Sequence, residues 1–263
     1  MKPINLTIPL YPHMPVGNVW AWDVPFQTED IVLYDKQGPK LFMITMHSET
    51  GTRLMWKGVQ EKNAETVMDL DLTKFVNKPA IIVDIPKSSY GEIMPEDIEN
   101  TLAKEPEYQQ GDAVIIRTGW GNQERWKKMG DAYAYESPHF SNPGAQATVD
   151  VMVSKGSDFL VTDCAYIGNT GEGYMREQWA KLPAWQRIAF PHEEAKGYLR
   201  SYTPDMWRAD FGSSIILLDK LYVIGAACNL NKLKGKRTTL VCLPMFIEGA
   251  CGTSAWLVAL EKD

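Results

Sequence analysis

The sequence has no apolar run near the ~18 uncharged residues that a membrane helix requires. It has no block of basic residues of the kind that grips a phosphate backbone. Its four cysteines, Cys164, Cys228, Cys242 and Cys251, are too few and too scattered to staple a chain of 263 residues. The opening MKPINLTIPLYP is broken by prolines and lacks the apolar core of a secretory signal. No repeat and no low-complexity linker is visible. These absences exclude a cystine-stapled scaffold and argue against membrane and nucleic-acid partners; they lead us to expect a cytoplasmic protein. What is present is an ordinary globular balance: 44% hydrophobic residues, 23% charged residues and a net charge of −6. Nine Trp and eleven Tyr are many, so some are expected at a pocket or an interface.

Prolines at 3, 9, 12, 15, 25 and 39 rule out a long helix in the first forty residues, which read as short strands and loops wrapping another element. Ala80–Asp84, Ala113–Thr118 and Phe159–Asp163 are short, largely β-branched runs bounded by Pro or Gly, the signature of buried strands. Met94-Pro-Glu-Asp-Ile98 starts a helix with proline and acids in its first turn, and Pro143-Gly144 precedes another over roughly 145–154. Ser214–Leu218, Tyr222–Gly225 and Thr239–Leu243 resume the core, and Ala255–Leu260 is the final strand. Helices alternating with buried strands imply an α/β fold with a partly parallel central sheet. One domain over 1–263 is expected, with an insertion around 168–212 that is rich in Trp, Gly, Pro and charge.

Several blocks occur in an order that resembles the cyclase family, which includes bacterial kynurenine formamidase and isatin hydrolase. They are Leu10-Tyr-Pro-His-Met-Pro-Val16, Asp112-Ala-Val-Ile-Ile-Arg-Thr-Gly-Trp120 with Trp126, Pro143-Gly144 followed by Gly156 and Phe159–Asp163, Asn229-Leu230 with Leu233, and Pro244 followed by Gly249-Ala-Cys-Gly-Thr253. The resemblance implies a swivelling β/β/α cyclase-like domain, a homodimer or higher homo-oligomer, and a pocket near subunit contacts. The family's metal motif, H-x-G-T-H-x-D-x-P-x-H, keeps only its middle, Gly51-Thr52. In that register Glu49 and Arg53 stand at the first two His positions, Met55 at the Asp, Lys57 at the Pro and Val59 at the last His. Downstream, Ser214 falls at a family His and Gly225 at the Glu before Asn229-Leu230. Arg is permanently cationic and Met is a poor donor to a hard ion, so metal-dependent hydrolysis is not carried over, and no metal or other cofactor is expected.

In an extended stretch alternate side chains share a face, which would gather His47, Glu49, Arg53 and Met55. Glu49 would serve as general base, His47 as proton shuttle and Arg53 as anchor for a substrate carboxylate. The bland alternative is a structural Glu49–Arg53 ion pair in a vacated cavity. Trp20 and Trp22 could stack on a planar substrate or pack at a dimer contact. Thr52, His13 in the N-terminal proline loop and Cys164 at a strand end are further substrate-binding candidates, Cys164 being otherwise a buried apolar thiol. Arg117, Trp120, Asp84 and Asp163 read as scaffold. The expected reaction on a small, planar, carboxylated substrate is hydrolysis of an amide or lactam, or ring opening or closure. A lyase or isomerase using a Glu/His base, and a non-catalytic small-molecule binder, are the alternatives.

Overall fold

The protein is described by a computed structural model over residues 2–17, 23–32, 38–61, 63–168 and 204–261, with side chains from Gly212 onward in the last segment. Trp20, Trp22 and most of the expected insertion lie outside these residues. The strands are β1 (Lys2–Asn5), β2 (Gln27–Val32), β3 (Leu41–Thr45), β4 (Arg53–Met55), β5 (Lys78–Asp84), β6 (Glu92–Ile93), β7 (Ala113–Arg117), β8 (His139–Phe140), β9 (Phe159–Thr162), β10 (Tyr222–Gly225), β11 (Arg237–Pro244) and β12 (Gly252–Glu261). The helices are α1 (Pro95–Asn100), α2 (Arg125–Met129), α3 (Ala132–Tyr135), α4 (Asn142–Ser154) and α5 (Pro204–Lys220). Ser214–Leu218 belongs to α5, which begins inside the segment read from sequence as insertion.

The helix starts follow local chemistry. Pro95 occupies the first turn of α1, and the Asp97 carboxylate accepts the Met94 N–H at 2.7 Å. Ser141 caps α4 by accepting the Gly144 N–H at 3.0 Å. Gly144 must be glycine, because a Cβ there would collide with the Ile93 carbonyl.

The main sheet runs β1-β12-β11-β5-β7-β9-β10-β4, and β4 also pairs with β12, so the sheet closes on itself. β5, β7, β9 and β10 are mutually parallel and the other pairings are antiparallel. Alternation along the strands divides the core into two layers. Leu54, Ala80, Ile82, Ala113, Ile115, Val161, Ile224 and Leu257 pack inside the closed sheet. Met55, Ile81, Val83, Val114, Ile116, Leu160 and Val223 face outward onto Ile98, Val149, Met152, Leu217 and Leu221. A third cluster caps the strand ends. Ile8, Met14, Val16 and Phe26 of the N-terminal wrap cover Trp120, Ala165, Ala226 and Cys228, each just beyond the carboxyl end of its strand.

Two motif residues prove structural. Arg117 clasps Asp84 through Nε at 2.5 Å and Nη2 at 2.9 Å, and its Nη1 donates to the carbonyls of Leu230 and Leu233. Asp163, fully buried, accepts from the Thr118 N–H and hydroxyl and from the N–H groups of Gly119 and Gly121. One part stands apart from the core. β2 and β3 form a two-stranded ribbon that is exposed along nearly its whole length and carries Ile31, Leu41, Phe42, Met43 and Ile44, with Ile31 63% exposed.

Candidate functional site

The seam of the closed sheet positions the charged trio. Arg53 lies opposite Gly225 in β10 on one side and opposite Ser254 in β12 on the other. Leu54 points into the closed sheet, so Arg53 and Met55 point outward, toward the wrap and the end of β9. One continuous extended run was expected here. Instead β3 ends at Thr45 and the chain turns before β4. Gly51 takes a left-handed φ of +74° and donates to the Val16 carbonyl, and the Thr50 hydroxyl donates to His47 O. Ser254 fixes the turn to β12: its N–H donates to Ser48 O at 2.6 Å, and its hydroxyl lies 2.7 Å from Thr50 O. The trio therefore gathers through a turn rather than through strand alternation.

Arg53 is 4% exposed, and its guanidinium is fixed on three sides. Nη2 donates to Ala165 O at 2.9 Å, Nη1 to Gly51 O at 3.4 Å, and the group lies 4.6 Å from the Tyr166 ring centroid. Its five N–H donors are not all taken by these bonds. His47 is fixed too. Its Nδ1 accepts the Glu49 N–H at 3.1 Å, which puts the ring proton on Nε2, 3.2 Å from Gly17 O and 3.8 Å from Asp23 Oδ1. Both ring nitrogens are thus engaged by backbone, a geometry for orienting Glu49 more than for carrying protons.

Glu49 differs from both. Among the described residues nothing donates a hydrogen bond to its carboxyl. Burial pushes that carboxyl above the usual carboxylate range; the Arg53 and His47 charges pull it down and Asp23 pushes it up. The residue is only partly buried, and its carboxyl oxygens keep contact with solvent; a carboxyl partly withdrawn from water beside a fixed cation is the kind of group that active sites retain.

The remaining candidates fall elsewhere. Thr52 is buried and saturated, donating to Ala226 O at 2.7 Å and accepting from Ile8 N at 3.0 Å, so its hydroxyl ties the wrap to β10 and has no donor left for a ligand. Cys164, expected at a crevice edge, lies fully buried in the outer apolar layer, and burial pushes its thiol far above its ordinary value. That is the environment of a packing thiol, not of a nucleophile or a ligand contact. His13 is exposed in a turn with φ 59°. Sequence reasoning missed Asp23 and Tyr166. The strand-end rule did point at β9, and the residue that meets the guanidinium is Tyr166, two places beyond Cys164.

Residues 4–167, more than half of the chain, match the model of the Cyclase family. The chain belongs to that family. No match was found among curated proteins. Solved structures with the same fold include an isatin hydrolase bound to the product analogue thioisatinate, 17% identical, with a TM-score of 0.69 over 100% of this chain and 93% of the other. Isatin hydrolase A from Labrenzia aggregata, bound to benzyl benzoate, is 19% identical, with a TM-score of 0.65 over 98% and 93%. A predicted metal-dependent hydrolase from Bacillus stearothermophilus is 18% identical, with a TM-score of 0.60 over 98% and 97%. At these identities the likeness shows the fold.

The divalent ion that such relatives imply does not suit this cyclase's donor set. Arg53 holds a fixed cation at one ligand position. Met55 packs in the apolar layer, Val59 has no donor atom, and Lys57 pairs with Glu61 and Asp219. His47 and Asp23 approach Glu49, yet both imidazole nitrogens are already hydrogen-bonded. Among the described residues no group of three or more His, Cys, Asp or Glu could hold a metal ion.

Proposed function

We propose that this cyclase is a hydrolase-like enzyme that works without a metal on a small, planar, carboxylated substrate. The reaction is hydrolysis of an amide or lactam, or the related ring opening or closure. The observation that carries this reading is the partly buried Glu49 carboxyl, to which no described residue donates a hydrogen bond, beside a fixed guanidinium. Glu49 takes a proton from water as the water attacks the carbonyl carbon, and returns it to the leaving nitrogen as the C–N bond breaks. Arg53 holds the substrate carboxylate and offsets negative charge developing on the carbonyl oxygen. His47 orients Glu49 through its backbone N–H. The relatives described as isatin hydrolases support a lactam as the first substrate to try.

Turnover of carboxylated aromatic lactams and of aromatic N-acyl acids in solvent enriched in heavy oxygen tests the reading. Hydrolysis places one solvent oxygen in the product. Turnover without that oxygen would replace hydrolysis by elimination or isomerisation, and binding without turnover would leave a small-molecule binder. Arg53→Met raises KM for a carboxylated substrate by ~10-fold or more, but much less for its neutral amide. Equal effects on both would remove Arg53 as the carboxylate anchor.

We also propose that the chain acts as a homodimer or higher homo-oligomer. A two-stranded ribbon that exposes apolar side chains is not stable alone. Leu243, Met245, Phe246, Ile247 and Trp256 form a second exposed apolar set that another copy's ribbon could cover. Light scattering on the purified chain is expected to give at least twice the 29.7 kDa chain mass, and Phe42→Lys with Ile44→Lys to give the single-chain mass. A wild-type monomer sinks this part. Free cysteines at all four positions accord with a cytoplasmic setting. Among the described residues no helix is long and apolar enough to cross a membrane.

A further inference from the structure

Glycines press against each member of the trio, but for different reasons. Gly17, beside His47 Nε2, has a left-handed φ of +102° that already explains it. Gly225 in β10 would place a Cβ 3.9 Å from Arg53 Cζ, an ordinary contact. Gly252 is the informative one. It sits in regular strand β12 opposite Met55, outside the left-handed region, so backbone freedom does not account for it. A Cβ there would stand 2.6 Å from Glu49 Oε1, 2.8 Å from Glu49 Cδ and 2.8 Å from Val59 Cγ2. The carboxyl therefore lies in the space that a side chain at 252 would fill.

We propose that Gly252 is the positioning residue for Glu49: its missing side chain is a notch in β12 that receives the carboxyl and sets where it stands relative to Arg53. This deepens the proposed function, since it rests on Glu49 as the proton-transfer group. What the notch holds is side chain, the end of Glu49 and a methyl of Val59, not backbone. Filling it thus displaces the carboxyl and the Val59 methyl without breaking the strand. Position 252 accordingly determines how far the carboxyl reaches out and how large a substrate fits between it and the guanidinium. A misplacement of about 1 Å in such a site is worth ~10²-fold in rate.

Gly252→Ala tests this, with the Glu49 carboxyl followed by carbon NMR and its resonance assigned as the one lost in Glu49→Gln. The expected result is a thermal midpoint within a few degrees of wild type, a Glu49 titration moved toward the ordinary carboxylate range, and turnover of a carboxylated aromatic lactam reduced by ~10²-fold. Glu49→Asp withdraws the carboxyl by one methylene, so adding Gly252→Ala to it costs clearly less than ~10²-fold. A Glu49 titration unchanged by Gly252→Ala overturns the inference, whatever happens to turnover. So does a large fall in the thermal midpoint with no change in that titration, because Gly252 would then serve only the strand. A moved titration with unchanged turnover upholds the notch and removes Glu49 from the chemistry, so the two failures are separable.

Discussion

Glu49→Gln lowers turnover by ~10²–10⁴-fold and leaves the fold intact. The amide has the shape of the carboxyl, so the fit against Gly252 is kept while the basic oxygen is lost. The pH profile follows from the same burial. The base must be ionised, so the rate falls as pH drops through the Glu49 pKa, and that acid limb lies above the usual carboxylate range. Stability takes the opposite sign. A carboxyl whose folded pKa is raised favours folding below its unfolded pKa, and that contribution is lost as pH rises through the folded value. At neutral pH the ionised carboxyl is therefore a burden on the fold, and Glu49→Gln should melt at or above the wild-type temperature. Thermal unfolding and pH–rate curves on the two proteins check both signs. Undiminished turnover, or an acid limb in the ordinary carboxylate range, would remove Glu49 as the base.

Asp163→Asn has the largest structural effect. Burial pushes the Asp163 carboxyl up, and the hydrogen bonds from Thr118 and Gly121 pull it back. One oxygen accepts from the Thr118 N–H and hydroxyl, the other from Gly119 and Gly121. An amide supplies one oxygen, and its NH₂ then faces two N–H groups that have no acceptor. The stability loss is ~3–5 kcal/mol, which lowers the thermal midpoint by roughly 10 °C. Among the described residues the turn at 118–121 shares no hydrogen bond with Glu49 or Arg53, so the surviving folded fraction keeps its KM. A loss under about 1 kcal/mol would show that the turn holds itself without this clamp.

The fold was legible because each strand announces itself locally. Ala80–Asp84, Ala113–Arg117 and Phe159–Thr162 are short apolar runs closed by turn residues, and they pair side by side as a parallel sheet. Pro95 and Gly156 likewise mark a helix start and a helix end. The site was legible only in part. Gly51-Thr52 located the right turn, but alternation was the wrong geometry for it. What bends residues 46–52 is the hold of Ser254 and Val16, more than 200 and about 35 residues away in sequence. Asp23 carries no spacing signal in a proline-rich loop. Tyr166 reaches Arg53 because β9 delivers it there, a fact of sheet order and not of local pattern. Gly252 looks like any glycine until the carboxyl lying against it is seen.

The three-residue strand β4 joins β10 to β12, although Arg53 is separated from Gly225 by 172 residues and from Ser254 by 201. Pairings this distant are slow to form. A chain emerging from the ribosome therefore holds Arg53 long before it holds the strands that aim it. The guanidinium gains its fixed direction only once β10 and β12 have joined β4.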